Sequence, residues 1–198
     1  MTPLEVWEKV VERARTRMDR VWHTRSRRQA RTRATSRGWP RQVVIVCYGN
    51  ICRSPYAAAS MKRRLVAAGA DGVLVDSAGL IGPGRPANQQ ASAVAVQRGH
   101  DLTGHRSRLF GTADSMHADL ILVMTHSQRA QLVSEFGVRQ DRIELLGDFD
   151  QEDPPHREIL DPYGKSEAVF VEVFSQIDRS VDGLLAAWLP AFDSMPTA

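Results

Sequence analysis

The pattern of apolar and polar residues changes at about residue 41. Beyond it, short apolar runs alternate with longer stretches of helix-forming residues, which is typical of strands joined by helical crossovers. We predict strands over 43–46, 73–76, 120–124 and 143–146, and helices over 54–68, 86–98, 127–136 and 166–188. The predicted fold of residues 41–198 is therefore α/β, a three-layer sandwich in which helices flank a four-stranded parallel sheet. In such a fold, a site is expected at the carboxyl ends of the strands.

Residues 1–40 follow a different pattern and are predicted to be an extension outside that domain. Thr2, Pro3 and Glu5 are typical of a helix start. An apolar stripe follows at alternating intervals of three and four residues, formed by Leu4, Trp7, Val11, Ala14, Met18 and Val21. From 24 to 40 the sequence is rich in Arg, Ser, Thr and Gln. We predict a basic amphipathic helix followed by a mobile linker.

The charge of the chain is divided between these two parts. Residues 1–40 hold 11 of the 26 Lys and Arg but 4 of the 23 Asp and Glu, so the extension carries +7 and the remainder −4. A basic arm on an acidic body is expected to meet something anionic: nucleic acid, a lipid surface, an acidic partner or the body itself. The apolar stripe also allows self-association.

Two broad classes of protein are disfavoured. No apolar run reaches the roughly 20 residues of a membrane-spanning helix, and the N-terminus lacks a signal-peptide pattern, so we expect a cytoplasmic protein. The two cysteines are too few for a secreted disulfide framework and lack the spacing of a zinc site. Reduced, reactive thiols are the better interpretation.

The segment between the first predicted strand and the first predicted helix carries the candidate chemistry. Its sequence is Cys47-Tyr48-Gly49-Asn50-Ile51-Cys52-Arg53-Ser54-Pro55. A loop at a helix N-terminus presents unpaired N–H groups and the positive end of the helix dipole, so it can enclose a phosphate dianion. The same field stabilises a thiolate, which makes Cys47 a candidate nucleophile. The planar guanidinium of Arg53 can hold two phosphate oxygens at once.

The alternative is that Cys47 only ends a buried strand and that Arg53 is an ordinary surface residue, since cysteine is often a small core residue. Arg and Ser at six and seven positions after a cysteine would occur by chance on the order of one time in a hundred. The strand before the segment and the helix after it favour the phosphate-binding interpretation.

The segment resembles the phosphate-binding loop of low-molecular-weight protein tyrosine phosphatases. Further motifs follow in the family's order: Asp76-Ser77-Ala78-Gly79, Gly104-His105-Arg106, 118–124 and Asp161-Pro162-Tyr163-Gly164. The resemblance covers residues 41–188 and leaves only the N-terminal arm without a counterpart. It implies hydrolysis of phosphotyrosine through a phosphocysteine on Cys47, with no metal or organic cofactor.

A phosphoester also needs a proton donor for its leaving oxygen, and a loop carboxylic acid near the cradle is suitable. On the sequence alone, Asp148, Asp150, Asp153 and Asp161 are all candidates. The resemblance selects Asp161, because members of the family carry the general acid in the Asp-Pro-Tyr motif.

The resemblance assigns further roles around this centre. The phosphate-binding loop comprises Tyr48, Gly49, Asn50, Ile51, Cys52 and Ser54. Hydrogen bonds among Asn50, Ser54, Ser77 and His105 are expected to hold its shape, and Ser54 is expected to donate to the Cys47 thiolate. Leu80 and Tyr163 are expected to line the substrate cleft. Cys52 could form a protective disulfide with Cys47, as in relatives, or serve as a small buried filler.

Several alternatives concern the substrate. Arsenate reductases share the loop but use additional downstream cysteines, and none follows Cys52. Arginine phosphatases of the family tend to have threonine where Ile51 stands, so a phosphotyrosine protein is the expected partner, with a tyrosine kinase as one candidate. Asn88-Gln89 replaces an Asp-Pro pair common in relatives, which leaves substrate preference open. A noncatalytic phosphate-binding module is the alternative from another class.

Overall fold

A four-stranded parallel sheet forms the centre of the protein. The computed structural model describes residues 24–152 and 156–192. The strands are β1 (Gln42–Cys47), β2 (Leu74–Gly79), β3 (Leu120–Val123) and β4 (Ile143–Leu145). They lie in the order β2-β1-β3-β4, and every neighbouring pair is parallel. The predicted sheet is therefore confirmed.

The central strand β1 is buried on both faces because its side chains alternate between two apolar clusters. Val43 and Ile45 belong to the larger cluster, whereas Val44 and Val46 belong to the smaller one on the opposite face. All four residues are fully buried. A run of β-branched residues suits such a strand, since either face offers an apolar layer to pack against.

Helices cover both faces of the sheet and complete the predicted three-layer sandwich. Helix α1 (24–37) precedes the sheet, and the helices that follow are α2 (Arg53–Ala67), α3 (Gln89–Gln97), α4 (Thr112–His117), α5 (His126–Phe136) and α6 (Glu167–Phe192). Short 3-10 helices at Gln140–Arg142 and Leu146–Phe149 precede and follow β4. Helices α2, α3 and α6 contribute to the larger cluster, and α5 contributes to the smaller one. The short helix α4 was not predicted from the sequence.

None of the helices in the described ranges is long and apolar enough to cross a membrane. The cytoplasmic location stays a prediction.

The mobile linker predicted over residues 24–40 is wrong for most of its length. Residues 24–37 form a helix, α1, that packs on the larger cluster. Ala30 and Ala34 are buried there, and the ring of Trp39, just beyond the helix, packs 5.5 Å from that of Trp188. The pattern was missed because α1 buries small alanines instead of large apolar residues. The predicted apolar stripe of residues 4–21 lies outside the described residues.

Helix α1 is also held by an ion pair with a buried carboxylate. Glu144, in β4, has a side chain that is only 2% exposed. Arg33 donates two hydrogen bonds to it, from Nε to Oε1 at 2.6 Å and from Nη2 to Oε2 at 2.7 Å. A buried carboxylate is strongly unfavourable unless it is paired, so the position of α1 and the charge of Glu144 depend on each other.

We predict that Arg33→Ala lowers the free energy of unfolding by about 3 kcal/mol, because it leaves the buried Glu144 carboxylate without this partner. Urea denaturation of the full-length chain measures the change. Arg28→Ala removes an exposed arginine of the same helix and should change stability by less than about 0.5 kcal/mol. Equal stability of the two variants would contradict the importance of the Arg33 contact.

Candidate active site

The candidate site lies where β1 ends and α2 begins, at the carboxyl edge of the sheet. Cys47 is the last residue of β1, and Arg53 is the first residue of α2. The loop between them forms a pocket of about 190 Å³. The pocket is lined by Cys47, Tyr48, Gly49, Ile51, Cys52, Arg53, Ile81, Arg85, Asp161 and Tyr163. The structure therefore brings together the three predicted catalytic residues.

The sulfur of Cys47 receives two hydrogen bonds from the loop that follows it. The backbone N–H of Asn50 lies 3.2 Å from Sγ, and the hydroxyl of Ser54 lies 3.0 Å from it. Cys47 itself is 2% exposed. Hydrogen bonds to the charged form of a thiol favour the thiolate, which is the nucleophilic form.

Asn50 holds the loop together through each of its polar groups. Its amide Nδ2 donates to the hydroxyls of Ser54 and Ser77, both at 2.9 Å, and its Oδ1 accepts from the backbone N–H of Arg108 at 3.0 Å. Its carbonyl oxygen lies 2.6 Å from Nε2 of His105. The structure thus places all four predicted supporting residues in one network.

The backbone of Asn50 adopts a conformation that few residues tolerate. Its φ of 51° lies in the left-handed region, where asparagine is more frequent than other residues with a side chain. The neighbouring strand leaves no space around it, because a Cβ on Gly79 would lie 2.9 Å from Cβ of Asn50. A glycine at the end of β2 is therefore required for the loop to pack this closely.

Arg53 and Asp161 meet at the pocket. The buried guanidinium of Arg53 donates from Nη1 to the carbonyl of Ile159 at 3.1 Å, and its Nη2 forms an ion pair with Asp161. The second oxygen of the Asp161 carboxylate accepts from the backbone N–H of Tyr163 at 3.2 Å. Asp161 remains half-exposed, so a phosphate group in the pocket could contact both Arg53 and the acid.

The other carboxylates considered as proton donors lie elsewhere. Asp148 and Asp150 are fully buried, in ion pairs with Arg157 and Arg179 respectively. Asp153 lies outside the described residues. Among the carboxylates in the described ranges, Asp161 is the one that lines the Cys47 pocket.

Arg85 is a pocket residue that the sequence analysis missed. Its Nη2 donates to the carbonyls of Gly49 at 2.9 Å and Ile81 at 3.1 Å, and its Nε donates to the carbonyl of Gly82 at 2.8 Å. It therefore ties the loop after β2 to the loop between β1 and α2. No motif marks this arginine, because its partners are backbone carbonyls that become neighbours only in the folded chain.

The predicted cleft residues lie at two adjoining places. Tyr163 is 63% exposed at the pocket rim, and Tyr48 is 52% exposed beside it. Leu80 lines a larger neighbouring groove of about 800 Å³ that also includes Arg53 and Asp161. Its neighbour Ile81 lines the Cys47 pocket instead.

Comparisons with known proteins agree with this geometry. The model of a family described as low molecular weight phosphotyrosine protein phosphatase matches residues 42–190. A probable low molecular weight protein-tyrosine-phosphatase, EpsP, from Ralstonia nicotianae is 36% identical over 149 residues, which cover 75% of this chain and 93% of that protein.

Solved structures with the same fold include two relatives with different stated activities. The Erwinia amylovora tyrosine phosphatase amsI has a TM-score of 0.68 and 28% identity, covering 75% of this chain and 93% of its own. The YwlE arginine phosphatase from Geobacillus stearothermophilus has a TM-score of 0.70 and 26% identity, covering 80% of this chain and 100% of its own.

Cys52 shares the pocket with Cys47 but has a different electrostatic environment. Both cysteines are free thiols and both are buried. Burial, the main cause, and the nearby charges of Cys47 and Asp161, a smaller one, together raise the pKa of Cys52 to about 12, although Arg53 and Arg85 act in the opposite direction. Cys52 is therefore a protonated thiol at neutral pH.

We predict that iodoacetamide at neutral pH alkylates Cys47 and leaves Cys52 unmodified, because only a thiolate reacts rapidly. Peptide mass spectrometry of the modified protein locates the adduct. In Cys47→Ser, no adduct should form until the chain is denatured. Rapid modification of Cys52 in the folded protein would contradict the assigned environment of its thiol.

Proposed function

The chain belongs to the low molecular weight phosphotyrosine protein phosphatase family, a family of phosphoric monoester hydrolases, and we propose that it hydrolyses phosphotyrosine in proteins through a phosphocysteine on Cys47. The observation that supports this proposal most strongly is the convergence of three groups on one pocket. A sulfur with two hydrogen-bond donors, a buried arginine and a half-exposed carboxylate all line it.

In the first step, the Cys47 thiolate attacks phosphorus. The S–P bond forms while the bond from phosphorus to the tyrosine oxygen breaks. Asp161 gives its proton to that oxygen, so tyrosine leaves as a neutral phenol. Arg53 and the backbone N–H groups of the loop hold the phosphoryl oxygens, whose charge they stabilise in the transition state.

In the second step, water replaces the cysteine. Asp161, now a carboxylate, takes a proton from the water as the water oxygen bonds to phosphorus and the S–P bond breaks. Inorganic phosphate leaves and the Cys47 thiolate is restored. The hydroxyl of Ser54, 3.0 Å from Sγ, stabilises the departing thiolate.

The rim of the pocket supports an aromatic phosphoester as substrate. Tyr48 and Tyr163 present exposed rings on which the ring of a phosphotyrosine can pack. Ile51 adds an apolar surface within the pocket. Because one structural relative is an arginine phosphatase, phosphoarginine is the competing substrate class to be tested.

The partner is accordingly a phosphotyrosine-containing protein, and a tyrosine kinase that phosphorylates itself is one candidate. The role of the arm in binding an anionic partner or a second copy stays a proposal for residues 1–23. Arginines from the described part of the arm bind the acidic body itself.

We predict that the full-length protein hydrolyses para-nitrophenyl phosphate under reducing conditions with a chelator present. Cys47→Ser should lower kcat by about 10⁴-fold or more, because it removes the nucleophile of a covalent route. Release of nitrophenol, followed from mildly acid to neutral pH, measures both. A variant with wild-type turnover would rule out this mechanism.

The same preparations distinguish the substrate classes. Two peptides of one sequence, one with phosphotyrosine and one with phosphoarginine, are compared by phosphate release. Faster release from the phosphotyrosine peptide supports the proposal, whereas a preference for phosphoarginine would contradict the assigned substrate and leave the cysteine mechanism intact. Binding of the phosphotyrosine peptide without any release would favour the noncatalytic module.

A further inference from the structure

We propose that α1 supports catalysis. In this proposal Arg27 and Arg31 are positioning residues that hold residues 156–161, the segment that carries Asp161. The inference rests on the proposed role of Asp161 as general acid. It concerns a helix that precedes the region matched by the family, which begins at residue 42. The residues of α1 that make these contacts therefore lie outside the part of the chain that the family model matches.

The two arginines bind the backbone carbonyls of Asp148 and Asp150, in the loop that follows β4. Arg27 donates from Nε to the carbonyl of Asp148 at 3.3 Å and from Nη2 to the carbonyl of Asp150. Arg31 donates from Nη2 to the same Asp150 carbonyl at 3.2 Å. Arg27 is buried in this position although it is a charged residue. Its planar guanidinium has several N–H groups and binds two carbonyls of one loop. The compact ammonium group of a lysine would bind both carbonyls less well.

These contacts satisfy groups that have no other backbone partner among the described residues. Asp148 and Asp150 are fully buried, and in the described parts of the chain no backbone N–H donates to either carbonyl. Buried carbonyls are nearly always hydrogen-bonded, and leaving one unpaired is unfavourable. Without the arginines, we expect this loop to shift until water reaches the two carbonyls.

The loop at Asp148 and Asp150 is tied to the segment that carries Asp161 by a buried ion pair. The carboxylate of Asp148 pairs with Arg157, and their side chains are 1% and 11% exposed. Asp148 therefore links α1, which binds its carbonyl, to Arg157, which binds its carboxylate. This connection does not depend on the path of residues 153–155.

From Arg157 the chain runs directly to the active site. Two residues later, Ile159 donates its N–H to Met124 at 3.0 Å and accepts from Arg53 at 3.1 Å. Asp161 follows and pairs with Arg53. A shift of the Arg157 end would therefore change where the Asp161 carboxyl lies relative to the leaving oxygen, and proton transfer is sensitive to that distance.

The test compares substrates that need the acid to different extents. Phenyl phosphate loses a poor leaving group that requires protonation, whereas nitrophenolate leaves readily as an anion. The measured quantity is kcat/KM, which covers the steps up to leaving-group departure. The ratio compared is kcat/KM for phenyl phosphate divided by kcat/KM for nitrophenyl phosphate. Asp161→Asn serves as the reference, because it removes the acid and should lower this ratio most.

We expect Arg27→Ala in the full-length protein to lower this ratio about fivefold, well below the roughly 10²-fold or more that general acid catalysis contributes. Arg27→Lys should recover part of the loss. Arg31→Ala should shift the ratio less, and it serves as the second variant because Arg31 is exposed and its replacement is not expected to prevent folding. Arg28→Ala, on the same helix but exposed, should leave the ratio unchanged.

A second readout does not depend on turnover. Hydrogen exchange measured by mass spectrometry should show faster exchange of residues 156–161 in Arg27→Ala, by about tenfold, with α5 unchanged as the internal reference. Arg31→Ala should show a smaller increase in the same segment.

A ratio equal to that of the wild type, with kcat/KM for both substrates reduced together, would overturn the proposal and leave only a structural role for α1. Unchanged exchange in residues 156–161 would overturn it as well. An inactive wild type would contradict the proposed function instead, and the exchange measurement would then decide whether α1 holds the segment.

Discussion

The left-handed backbone of Asn50 is the constraint on which the candidate site depends. That conformation directs the N–H of Asn50 to the sulfur of Cys47 and lets its side chain hold Ser54 and Ser77. Ser54 is thereby fixed as the second donor to the sulfur. The same loop conformation requires that β2 end in Gly79, since a side chain there would collide with Asn50. One turn of the chain thus sets both the electrostatic environment of the Cys47 sulfur and the packing of two strands.

Most of the body could be predicted because its local patterns agree with its tertiary environment. The run Val43–Val46 predicts a strand buried on both faces, and the structure places it in the centre of the sheet. The position of the candidate site was also predictable, since the loop, the helix start and the residue types indicate this place, and the structure has Cys47 and Arg53 lining one pocket there. The resemblance to a known family selected Asp161 from several aspartates, which the sequence alone could not do.

Other features depend on contacts between distant parts of the chain. Helix α1 was missed because Ala30 and Ala34 give little apolar signal, although both are buried. Arg85 binds carbonyls, which every residue carries, so no sequence pattern identifies its partners. The choice between Leu80 and Ile81 as the pocket wall is set by the turn after β2, and residue type does not determine it.

The separation of charge along the sequence has a structural counterpart in the described part of the arm. Glu144 is buried in β4 and binds Arg33. The backbone at Asp148 and Asp150 binds Arg27 and Arg31. These arginines therefore contact the body itself, which is one of the partners expected for the arm. The described part of the arm and the body form one interface beside the segment that carries Asp161.

The measurement that tests the central claim most directly is detection of the covalent intermediate. The wild-type protein is quenched in acid during turnover of a phosphotyrosine peptide, digested, and analysed by mass spectrometry for a phosphoryl group on the peptide that contains Cys47. A phosphoryl group on the Cys47 sulfur is the predicted result. Turnover with no phosphoryl group on that sulfur, or with one on another residue, would contradict the account.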